Sequence, residues 1–151
     1  MKTYIPKKEG NLFSSVQGHL YDTLFKNKEL SKDLKIFNQV PKDTPYPYIY
    51  IGGFSVINRS TKDNSRMYFV NGIHIYSQDN SVEEILNWSN EIKYSMKQEN
   101  IFLEDCHIVE TDFLQMSLEI MPDSRIHRVV SKFRIIVEEL DGSVQRKSSA
   151  A

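Results

Sequence analysis

Behind Asn11, apolar residues recur at Phe13, Val16, Leu20 and Leu24, spacings of three and four that place them on one stripe of a helix ending near Asn27. The stripe predicts a helix with one buried face. From Lys28 to Thr44 the period fails. Leu30, Leu34, Ile36, Phe37 and Val40 stand isolated among polar residues, and the segment reads as an ordered connection with a few apolar anchors. Pro45 and Pro47 then hold Thr44 and Tyr46 extended and deliver the chain into a strand. In that strand Tyr48, Tyr50, Phe54 and Val56 share one parity and Ile49, Ile51 and Ile57 the other, with Gly52 and Gly53 between them. Apolar groups on both faces around a glycine pair predict a central strand with a bulge or sharp bend.

The polar stretch 58–66 reads as the long tip of a hairpin whose second strand alternates Met67, Phe69, Ile73 and Ile75 with Tyr68, Val70, His74 and Tyr76. Ser81 followed by Glu84 is a capping box, and Val82, Ile85, Ser89, Ile92 and Met96 line one face of the helix it opens, which is expected to run to about Glu99. Further on, a strand is expected from Cys106 to Asp112 and a second in which Leu114, Met116, Leu118 and Ile120 alternate with polar residues. A turn at Met121–Arg125 leads into a long last strand whose inner set is Val129, Phe133, Ile135 and Val137. These elements predict an α+β fold, two helices packed on one side of a mainly antiparallel sheet in the order α-β-β-α-β-β-β. Residues 1–140 read as a single domain. The end, 141–151, offers almost nothing to bury and is expected to be disordered unless another chain orders it.

At 151 residues the chain suffices for one domain that folds without metals or disulfides. Nineteen Lys and Arg against twenty Asp and Glu give a net charge of -1, which supplies no long-range field for coating nucleic acid or an anionic membrane. The lone cysteine, Cys106, excludes an internal disulfide. No signal-peptide pattern or long apolar run is present, so the chain reads as made in the cytosol.

Candidate chemistry is sparse. Cys106 and His107 are neighbours in a strand and so point to opposite faces, which denies the thiol that imidazole as a base. His19, His74, His107 and His127 lack the paired spacing of a structural zinc site. Asp79 and Glu110 stand near strand ends without the partner in a pocket that acid–base catalysis requires. Gly52, Gly53 and Gly72 do not open a helix, so no phosphate cradle is formed. Tyr50, Phe54, Tyr68 and Phe69 have the aromatic character of a base-stacking sheet but lack its surrounding basic residues, and they read as packing. No catalytic residue, metal ligand or cofactor site is predicted.

A first amphipathic helix, a polar passage ending VPKDTPYPYIYIG, a hairpin whose second strand ends HIYSQDNSVEEI, a helix, and a last strand HRVVSKFRIIVEE together resemble the tail completion, or tail terminator, family of long-tailed bacteriophages and phage-like particles such as gene transfer agents. The resemblance covers about residues 10 to 140. It is carried by Pro41, Pro45, Pro47, Tyr48, Ile73, Ile75, Tyr76, Ser77, Ser81 and Arg134.

The resemblance implies a structural subunit that closes into a hexameric ring on the head-proximal end of the tail tube, halts tube growth and joins tail to head. Its implied partners are further copies of itself, the tail tube protein and a head-completion or connector protein, with DNA passing through the ring unbound and no membrane involved. The implied location is the virion, after assembly in the bacterial cytoplasm. On this reading Arg59, Lys62, Asp63 and Arg66 at the hairpin tip are candidate interface residues, while Pro45, Pro47, Gly52, Gly53, Ser81 and Glu84 are structural. The alternatives left open are a head–tail connector or minor capsid protein on the portal side, and a small ligand-binding or enzymatic domain using His74, Cys106 or His107.

Overall fold

A computed structural model describes residues 11–140; the polar end at 141–151 lies outside the described residues. In chain order the elements are α1 (Leu12–Lys26), α2 (Lys28–Ser31), β1 (Lys35–Phe37), β2 (Tyr48–Asn58), β3 (Arg66–Gln78), α3 (Val82–Met96), β4 (Glu99–Phe102), β5 (Cys106–Met121) and β6 (Ile126–Glu139). The strands form one sheet in the order β1-β2-β3-β6-β5-β4. Every pair is antiparallel except β1 with β2.

The α+β class is as expected, but the order differs from α-β-β-α-β-β-β in three places. The passage read as a connection holds α2 and β1, four and three residues long and too short to show a period. Of the isolated apolar residues of that passage, Leu30, Leu34 and Ile36 are buried and Phe37 and Val40 half-buried. Because β1 runs parallel to β2, the sheet is mixed. The helix expected to reach Glu99 stops at Met96, and Glu99–Phe102 forms an edge strand instead. The two strands expected on either side of Phe113 are one, β5, whose register against β6 shifts at Ile108/Glu110 and at Phe113/Gln115. Each shift flips the side-chain alternation, which makes a single bulged strand look like two in sequence.

All three helices cover the same sheet face. Val16, Leu20 and Leu24 of α1 and Ile85, Trp88, Ile92 and Met96 of α3 meet Ile49, Ile51, Phe69, Ile73, Ile75, Val129, Phe133, Ile135 and Val137 in one core. Apolar burial of this kind is the main favourable contribution to folding, about 25 cal/mol per Å². Trp88, outside the stripe read from sequence, is buried, whereas Val82 is exposed at the first position of α3.

In β2 the register shifts between Ile51 and Phe54. The Gly52–Gly53 bulge lets Ile49, Ile51, Phe54 and Val56 all serve the helix side. The strand is not central, since β1 pairs only with Tyr48, Ile49 and Tyr50. The Tyr46–Pro47 bond that leads into it is cis.

Candidate functional site

The hairpin tip is narrower than its sequence suggests. The N–H of Arg59 donates to the Arg66 carbonyl at 2.8 Å and that of Thr61 to the Asn64 carbonyl at 2.8 Å, so pairing continues almost to Lys62 and Asp63. Asn58 Oδ1 accepts from the Ser60 N–H at 2.9 Å, a local turn that reinforces it.

The four candidate interface residues do not act alike. Arg66 belongs to β3, and its guanidinium donates to Glu138 Oε1, which also accepts from Asn64 Nδ2 at 3.1 Å. With Ser65 Oγ donating to Glu139 Oε2 at 3.2 Å, these bonds strap the tip to the end of β6. Arg66 is therefore held within the fold. Arg59 lies over the Tyr68 ring, 5.6 Å from its centroid, and Arg59, Lys62 and Asp63 make no ion pair among the described residues.

At the structural positions, Ser81 Oγ accepts from the Glu84 N–H at 3.1 Å, one half of a capping box. Glu84 turns instead to Asn80 Nδ2 at 3.3 Å. Pro45 lies in the turn before β2, and the ring of Tyr46 stacks on Tyr48 with centroids 5.6 Å apart.

The sheet face away from the helices is half-buried and patterned. Tyr48 stacks on Tyr76 at 5.3 Å and Tyr76 on His74 at 6.0 Å, with Tyr50 tilted against His74 at 5.4 Å. Burial raises the Tyr48 hydroxyl and lowers the His74 imidazole from their ordinary values, so both are neutral at pH 7. Beside this aromatic row three arginines have their carboxylates: Arg128 with Glu119, Arg134 with Asp112 at 2.6 Å, and Arg66 with Glu138. These pairs leave Lys132 and Arg59 as the cations of this face without a carboxylate among the described residues.

The structure does not bring Cys106 together with a histidine. Cys106 is fully buried, and that burial, with Asp105 beside it, pushes the thiol up to about 12, far from the thiolate a nucleophile needs. His107 lies on the opposite face, stacked on Phe102 with centroids 4.2 Å apart and bonded to Asn100 Oδ1 at 3.1 Å. His19 bonds Gln98 at 2.8 Å. Among the described residues no group of three or more His, Cys, Asp and Glu is placed to hold a metal ion, and no helix is long and apolar enough to cross a membrane.

The sheet edges are the feature that the sequence did not disclose. Beyond Tyr50, β2 has no neighbour on its outer side among the described residues, and Phe54, Val56 and Ile57 along it are exposed. Beyond Glu110, β5 has lost β4, apart from one bond of the Thr111 N–H to the Gln98 carbonyl at 3.0 Å. Phe113, Leu114, Met116 and Ile120 are exposed along it, Ile120 to 56%. Unpaired backbone flanked by large apolar side chains is an edge that a monomer ordinarily blunts.

Residues 19–138 match the family described as tail completion protein gp17. The chain belongs to that family. As a tail completion protein it has its place in the virion, with a structural role. Among solved structures, a chain of the virion of a native gene transfer agent particle superposes with a TM-score of 0.72 at 15% identity, covering 83% of this chain and 96% of that one. At that identity the likeness is one of fold. No curated protein sequence matches.

Proposed function

We propose that this tail completion protein closes into a hexameric ring at the head-proximal end of the tail tube, stops the tube from growing and joins it to the head. The observation that carries the reading is the pair of open, apolar strand edges on opposite sides of one sheet. A ring that closes by rotation needs two different patches on each subunit, and two unlike edges supply them. The hairpin tip, with Arg59, Lys62 and Asp63, projects from the end of the sheet and is the surface assigned to polar contacts with the tube or a neighbouring copy. The protein acts by surface complementarity without catalysing a reaction, a reading supported by the buried, protonated thiol and by histidines engaged in packing and hydrogen bonds.

The test is the mass of the purified chain across a concentration series, alone and with its tail tube protein, followed by negative-stain imaging. Rings, or caps on one end of the tubes, are expected. A chain that stays monomeric and leaves tube length unchanged overturns the proposal. Arg59→Glu with Lys62→Glu should weaken capping while leaving the circular dichroism spectrum intact, because neither residue has a carboxylate partner among the described residues.

A further inference from the structure

Each side of the sheet carries a step. Among the described residues β1 covers β2 only at Tyr48, Ile49 and Tyr50, leaving Ile51–Asn58 open, and β4 covers β5 only as far as Glu110, leaving Thr111–Met121 open. The open runs are offset along the strands. That of β2 reaches the hairpin tip, where Asn58 is in line through Met67 and Val137 with Ile108, a residue β4 covers. That of β5 reaches Met121, in line through Ile126 with Gln78 and past the start of β2, which β1 covers.

Direction agrees with this offset. The sense reverses from β2 to β3, from β3 to β6 and from β6 to β5, so β2 and β5 run opposite ways. Two copies set side by side with their helices on the same face therefore bring β2 of one antiparallel to β5 of the other. A slide of about five residues, roughly 17 Å, lays one open run along the other. β4 of the first copy then stands beyond the second copy's hairpin tip, and β1 of the second beyond the first copy's Met121. Phe54 and Val56 meet Met116 and Ile120 on the helix side, where all four are partly exposed.

Charge fits the same placement. Glu99 and Glu110 face each other across the β4–β5 ladder, a destabilising like-charge pair. Neither has an ion-pair partner among the described residues, and with Asp112 and Lys97 they line the hollow where β4 ends. The incoming tip carries Arg59 and Lys62 against the single acid Asp63.

We infer that the open run of β2 in one copy pairs antiparallel with the open run of β5 in the next, head to tail, with Arg59 and Lys62 at the hollow beside Glu99 and Glu110. The occupant of each edge is thus a second copy of this chain, and the contact rests on the ring reading above only for closure. Backbone pairing supplies the affinity, and the two steps fix the register.

Disulfide trapping in the full-length chain tests this, with Cys106 left in place because it is buried. Ser55→Cys and Ser117→Cys put thiols on the face away from the helices, along the two open runs, and Glu119→Cys samples the register two residues along. Under mild oxidation, covalent dimers are expected when S55C is mixed with S117C or E119C, a ladder in the double variants, and little product from any single variant alone. Arg59→Glu or Glu110→Arg should each cut the yield roughly two- to fivefold, the size of an exposed ion pair, and the two together should restore it. Dimers from single variants as abundant as from the mixtures would mean a two-fold contact and overturn the assignment. So would a yield no higher than that of S55C mixed with a remote K32C control, or trapping only to the tube protein. Tubes still capped by a chain that gives no edge cross-link would sink the edge pairing and leave the ring reading standing. A ladder from a chain that caps nothing would do the reverse.

Discussion

Gly52 and Gly53 are adjacent and identical in sequence, yet a Cβ at Gly52 would lie 2.8 Å from His74 Nε2 and 2.9 Å from the Gly72 carbonyl oxygen, whereas one at Gly53 meets nothing within 4 Å. The Gly72 carbonyl is backbone and cannot swing aside. Gly52→Ala should therefore cost roughly 1–3 kcal/mol in a urea titration. Gly53→Ala should stay within about 0.5 kcal/mol. Equal losses from the two would show that the bulge, and not the close approach, sets the need for glycine. Glu138 is a second residue whose role depends on its surroundings: Arg66 and Asn64 donate to it and hold its carboxyl below the ordinary 4.5. A carboxylate with a lowered folded value adds stability above 4.5 that is lost as pH falls through that lowered value. Arg66→Met should accordingly flatten the acid side of a stability–pH curve, and an unchanged curve would show that the pair contributes nothing. The sequence marked Arg66 as a charge near a turn. Only the strand register, which sets it opposite Glu138, makes it a strap.

The junction of the helices depends on one side chain at the element scale. Asn27 ends α1, and its Oδ1 accepts from the Glu29 N–H at 3.0 Å to begin α2. Its Nδ2 donates to Ser95 Oγ at 2.6 Å and to the Glu91 carboxylate at 3.0 Å, both on α3. Three helices meet on one amide. Asn27→Ala should cost about 1–3 kcal/mol, since a cap and partly buried partners are lost together. Asn27→Asp keeps the acceptor but loses the donor and faces Glu91, so a loss close to that of alanine would assign the energy to the α3 contacts, and a small loss to the cap. The sequence placed the end of α1 correctly because its stripe stops there. It missed α2, β1 and β4 because pieces of three or four residues show no period, and what forms them is the neighbour each one finds: β2 for β1, β5 for β4 and α3 for α2.

Over the whole molecule, β3 and β6 are the only strands among the described residues paired on both sides along most of their length. Their amides should be the last to exchange with deuterium, those of β1 and β4 among the first, and those of the open runs of β2 and β5 should gain protection when copies assemble. An exchange map unaltered by assembly would count against any role for the edges. The α+β class, the long hairpin, the capped α3, the inner set of β6 and the resemblance that led to the tail completion family were all legible in sequence. Each is written as a local period or an ordered run of such periods, and burial of one face enforces a period wherever an element is long enough to show it. Strand order, the parallel β1, the union of two expected strands into β5 and the two stepped edges were decided by tertiary structure alone. An edge is the absence of a neighbour, and a sequence records which face of a strand is buried, not which strand lies beside it.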